Sequence, residues 1–110
     1  MATALYDAKT DQCCNLLELV PIAPGAIVSK PLLQFGTKVI AFAMDKGQSI
    51  SEHRAPFAAT VHVLDGQLKF TVSGTTYDMK ANDWLVIPNN QPHDLEAIEP
   101  TRFLLSMIKE

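Results

Sequence analysis

The spacing of apolar residues changes once along the chain. Between Asp11 and Val20, Cys13, Leu16, Leu17 and Val20 fall at i, i+3, i+4 and i+7, the spacing of a short amphipathic helix. Pro21–Gly25 then reads as a turn. From Ala26 onward the period is two. Strands are expected at Ala26–Ser29, Pro31–Phe35, Lys38–Asp45, Ile50–His53, Thr60–Leu64, Leu68–Val72, Thr75–Met79, Trp84–Ile87, His93–Ile98 and Arg102–Ile108. In Lys38–Asp45 both alternating faces are apolar, which predicts a strand covered on two sides. Asp65-Gly66 carries a hairpin signal, with Leu68–Val72 as the returning strand. Ser73-Gly74, Asn82-Asp83, Pro88–Pro92 and Glu99-Pro100 mark further breaks. Short strands with turns every ~8–12 residues imply an antiparallel sandwich or barrel.

Composition narrows this to one compact unit. The chain has 110 residues, 47% of them hydrophobic and 19% charged, enough for a single core without metal or disulfide support. The division expected is an arm over residues 1–25, possessing at most a short helix that packs on the barrel or on a partner, and an all-β domain over residues 26–110. Net charge is −3 with Lys and Arg scattered, which argues against nucleic acid as a partner. No apolar run is long enough for a membrane-spanning helix. No signal peptide is apparent in MATALYDAKT, so a cytoplasmic location is expected. Cys13 and Cys14 are adjacent, poorly placed for a disulfide with each other, and are expected to be reduced thiols, one or both half-buried.

Two stretches carry candidate chemistry: Gly47–Gly66, GQSISEHRAPFAATVHVLDG, and Asn82–His93, NDWLVIPNNQPH. Their spacing resembles the two motifs of small single-domain cupins. In the first motif Gly47, His53 and Gly66 match, while Ala55 and Ala59 stand where the family has a second His and a Glu. In the second, Pro88 and His93 match, Asn82 and Asn90 replace glycines, and Ala97 replaces an Asn. Asn tolerates the left-handed backbone better than most residues. The resemblance, over residues 37–109, implies an antiparallel double-stranded β-helix, the jelly-roll barrel.

It also implies a metal site, of which this chain keeps two of four ligands, His53 and His93. Such a pair would hold a divalent transition metal (Zn, Ni, Fe, Mn or Cu) weakly, or would serve a metal-free cavity. Strand parity turns Glu52 and Asp94 away from the neighbouring histidines. His62 should face outward, and would become a third metal ligand only if a bulge turned it inward. Phe57, after the Pro56 break, is the candidate for the pocket rim, so the ligand-binding candidates are His53, His93 and Phe57.

Three functions follow from these residues. The first is a cupin that binds a small molecule in its barrel, metal-free or weakly metal-binding. The second is a metal-dependent enzyme of the dioxygenase, isomerase or lyase type using a reduced two-histidine site. The third is a structural or interaction module. A homodimer is expected in each case, with the apolar Pro31–Phe35 segment as a contact surface.

Overall fold

The structure is a computed structural model that describes residues 4–108. Residues 1–3 of the expected arm and 109–110 of the expected barrel domain lie outside the described residues. One short helix, α1 (Leu16–Leu19), precedes nine strands: β1 (Ile27–Phe35), β2 (Thr37–Met44), β3 (Ser49–His53), β4 (Ala58–Asp65), β5 (Gln67–Val72), β6 (Thr75–Lys80), β7 (Trp84–Ile87), β8 (His93–Ala97) and β9 (Thr101–Ile108). The expected strands on either side of Lys30 are one strand, β1, with a register shift between Pro31 and Leu33.

The strands form two antiparallel sheets, ordered β1-β2-β9-β4-β7 and β3-β8-β5-β6. Their inner faces supply one core: Met44, Val61, Val63, Ile87 and Phe103 from the first, Leu68, Phe70, Met79 and Leu95 from the second. This is the jelly-roll arrangement, although the two sheets are not joined into a continuous cylinder. β4 alternates half-buried and buried residues along Ala58–Val63, as a strand with one face on a core must.

The Asp65-Gly66 signal has a different outcome from a hairpin. β4 and β5 belong to different sheets and do not pair. The chain turns a corner at Gly66, and the β8–β9 segment turns a matching corner at Ile98–Pro100, so that β4 pairs with β9 and β5 with β8. Gly66 has φ +92°, and a Cβ there would clash with the Pro100 carbonyl oxygen and Thr101 Oγ1. Glycine is therefore required by backbone conformation and by close approach together. Local sequence does not separate this corner from a tight turn, because both want Asp-Gly. Ser73-Gly74, by contrast, does join paired strands, β5 and β6, with positive φ at both residues (49° and 83°), as a two-residue hairpin turn needs.

The corner also holds a buried polar group. Thr101 is fully buried. Its Oγ1 accepts from Gln67 N at 3.0 Å, and its hydroxyl proton is shared between the carbonyls of Glu99 (2.7 Å) and Gln67 (3.0 Å). Every polar atom of that side chain is thus satisfied by the chain itself.

A second apolar cluster lies on the other face of β2. Ala41 and Ala43 meet Val20 and Leu32, with Tyr6, Leu16, Leu19 and Ile22 against them. β2 is covered on both sides, as its two apolar faces predict. The helical stripe is only partly used: Leu16 and Val20 turn inward, while Cys13 and Leu17 are exposed. Cys14 is exposed as well, so neither thiol is half-buried as expected. α1 is too short to present the whole stripe, and extended backbone follows from Val20. Arg102 fixes this layer to the barrel: its Nε donates to the Val20 carbonyl (2.7 Å) and its Nη1 to Asp65 Oδ2 (2.7 Å).

Part of the Pro31–Phe35 segment, expected as a partner surface, is used within the chain. Leu5 N donates to the Pro31 carbonyl and Tyr6 N to the Leu32 carbonyl, both at 2.9 Å. Leu32 is buried, and of the segment's apolar side chains Phe35 alone stands well out.

Candidate functional site

The two motif histidines meet across paired strands. His53 ends β3, His93 begins β8, and they are direct partners in the ladder. The route to this geometry includes a feature the alternation does not reveal. Ile50 pairs with Leu95, but His53 rather than Glu52 pairs with His93, so β3 carries one extra residue between Ile50 and His53. A bulge of this kind puts two residues opposite one. It lets Ile50 and His53, at odd spacing, both line the same cavity, while Glu52 is exposed.

The loops hold the pair in place. Asn82 (φ 71°) and Asn90 (φ 62°) adopt the left-handed conformation that their positions require. Asn90 N donates to the Ala55 carbonyl (2.9 Å), and Arg54 Nη1 to the Asn90 carbonyl (3.3 Å). Ser73 N donates to the Pro92 carbonyl (2.9 Å). The Pro88–Pro92 loop is thereby tied to both the β3–β4 connection and the β5–β6 hairpin.

The rings lie edge to face, with centroids 4.2 Å apart and planes at 64°. Each Nδ1 is bound to the carbonyl of the residue two before it: His53 to Ser51 and His93 to Gln91, both at 2.9 Å. A carbonyl oxygen only accepts, so Nδ1 is the donor in both. In the neutral ring the proton is then on Nδ1, and Nε2 keeps its lone pair. His93 is only 7% exposed, yet no hydrogen bond to its Nε2 is present among the described residues. No buried side-chain nitrogen or oxygen there lacks a partner. His93 Nε2 is therefore an acceptor open to solvent within an otherwise buried ring.

The surrounding cavity has a volume of about 90 Å³, and its other walls are Phe42, Ile50, Phe70, Ile87, Leu95, Phe103 and Leu105. Phe42 stacks on Phe103 at 4.9 Å between centroids, and Phe70 lies 6.0 Å from His93 with planes at 22°. His53 is exposed and stands at the mouth. The cavity is thus apolar, with two imidazoles on one side.

The other candidates lie elsewhere. Phe57 does not line this cavity; it lines a separate cleft of about 290 Å³ with Gln34, Gly36, Lys38 and Met107. The Arg54–Pro56 break hides the strand's direction from any count of alternation, and the chain emerges with Phe57 in that cleft. His62 stays outward. Its strand neighbours Val61 and Val63 are buried, and the irregularity in β4 falls after Val63, too late to turn it. His62 sits opposite Trp84, and its Nε2 lies 3.5 Å from Asn82 Oδ1. Trp84 itself is 63% exposed.

The donor set can be tested against the metal that the family resemblance implies. A catalytic site of that kind uses about three protein ligands. Ala55 and Ala59 occupy two of the expected positions, and Ala59 packs in the core against Ile87 and Met107. Among the described residues no three His, Cys, Asp or Glu side chains are grouped to hold a metal. The residues present do not fit it.

The chain is similar to known proteins over this same region. The family described as "Cupin domain" matches residues 41–107. Among solved structures, a conserved protein of unknown function from Streptococcus pyogenes is 28% identical, with a TM-score of 0.87 over 98% of this chain and 96% of that one. A Cupin 2 conserved barrel domain protein from Leptotrichia buccalis is 37% identical, with a TM-score of 0.83, over 87% of this chain and 47% of that one. A cupin superfamily protein from Desulfitobacterium hafniense is 19% identical with a TM-score of 0.84, over 92% and 94% of the two chains, and speaks to the fold alone. No curated protein matches.

Proposed function

The chain belongs to the cupin domain family, and from that premise we propose that it binds a small organic molecule at the His53–His93 end of its barrel without a metal. One observation carries this: His93 is nine-tenths buried among apolar side chains, yet among the described residues its Nε2 has no partner, and it is open to solvent. An apolar cavity with a few convergent polar groups is the usual form of a small-molecule site.

The metal-dependent enzyme is the competing reading. Two Nε2 acceptors favour it, and the missing carboxylate and third imidazole oppose it. Elemental analysis of protein purified without added metal separates the two, repeated on the His53→Ala, His93→Ala double variant. The expected result is substoichiometric metal in both, together with ligand-observed NMR binding of small aromatic fragments that weakens at least tenfold in the double variant. Stoichiometric metal in the parent protein that disappears in the variant would overturn the proposal.

A further inference from the structure

We infer that the ligand is a neutral molecule with a compact apolar ring bearing a hydrogen-bond donor, of the phenol type, and that carboxylates and phosphates are disfavoured. This rests on the reading of the pocket above and adds the polarity of its occupant. Both Nδ1–H groups are committed to backbone carbonyls, of Ser51 and Gln91. What each neutral ring offers the cavity is then a lone pair at Nε2. Among the described residues no Lys or Arg lines the cavity to meet an anion. An acceptor facing a ligand's own acceptor gains nothing and repels, whereas a hydroxyl or N–H placed there completes the pair.

The walls define the rest of the molecule. Phe42, Phe70 and Phe103 supply ring faces and edges, and Ile50 and Leu105 are aliphatic. Aromatic rings favour offset or edge contacts with such walls. The cavity, at about 90 Å³, is smaller than the roughly 150 Å³ that encloses benzene in a sealed protein interior. A single ring therefore enters by its substituted edge, with the remainder at the mouth beside exposed His53. Because the imidazole centroids are only 4.2 Å apart, one donor at that edge lies near both rings and bonds to one Nε2 at a time.

The test is calorimetric titration of the full chain, stripped of metal and held above neutral pH, with phenol, toluene and benzoate. Phenol is expected to bind about tenfold more tightly than either of the others. In His93→Phe that preference should vanish while toluene binding persists. His53→Ala, at an exposed position, should reduce the preference without affecting the fold. Toluene equal to phenol, or benzoate tightest, would overturn the donor inference and leave the pocket reading standing. Failure of all three probes to bind would overturn both.

Discussion

The interior of the sandwich has two ends that treat polar groups in opposite ways. At the corner, where β4–β5 and β8–β9 bend past one another, Met44, Val63, Leu68, Ala97 and Thr101 are all fully buried. The polar atom there, Thr101 Oγ1, is saturated by Gln67 and Glu99. At the other end, His93 is nearly as buried, but half of its hydrogen-bonding capacity meets no partner among the described residues. The same strands run through both ends. The comparison separates polarity that closes the fold from polarity that is left for something else: the first is satisfied within the chain, the second is tethered on one side and free on the other.

This contrast can be broken at the corner first. Gly66→Ala should be the most damaging change, costing on the order of 3 kcal/mol or preventing folding, because positive φ and a steric clash act together. Urea denaturation measures it, and a near-neutral result would mean that the corner is not tightly crossed. Thr101→Val should cost about 1–3 kcal/mol by the same assay, since it leaves Gln67 N and the Glu99 carbonyl without their buried partner.

At the open end the expectation reverses. His93→Phe should change stability by no more than about 1 kcal/mol, because it removes one hydrogen bond and keeps a ring in an apolar setting, while phenol binding falls at least tenfold. A stability loss as large as that of Thr101→Val would make His93 a structural residue and sink the comparison.

Asp45 gives a smaller, pH-dependent effect near the corner. Hydrogen bonds from Gly25 N, then Lys46 N, hold its carboxyl below the ordinary value of 3.8. A lowered folded value means that its contribution is complete above the unfolded value and is lost as pH falls through the folded one. Melting temperature measured from pH 6 downward should therefore drop less steeply below pH 4 in Asp45→Asn than in the parent. His62→Ala, on the outer face, should stay within about 0.5 kcal/mol and leave phenol binding unchanged.

Much of this architecture is legible along the chain, for identifiable reasons. Strand positions follow from period-two alternation and from breaks rich in Gly, Asn, Asp and Pro, which act locally. The left-handed turns at Asn82 and Asn90 are legible for the same reason. The corner at Gly66 is not, because its defining feature is contact with Pro100 and Thr101, thirty-odd residues away. The histidine geometry is half legible. Motif spacing pairs His53 with His93, and parity sends His62 outward. A bulge is needed in one of these strands, and it lies in β3, where it brings Ile50 and His53 to one cavity, rather than ahead of His62. The side of Phe57 is lost because alternation does not carry through Arg54–Pro56. The free Nε2 atoms become visible only once the Ser51 and Gln91 carbonyls are seen to take the Nδ1 protons.

The most direct test of the account is the protonation pattern of the histidine rings, read from long-range proton–nitrogen correlations above neutral pH before and after addition of phenol. His53 and His93 are both expected to carry the proton on Nδ1, and phenol to shift their Nε2 resonances while leaving His62 unmoved. An Nε2-protonated His93, or phenol shifts confined to His62, would contradict it.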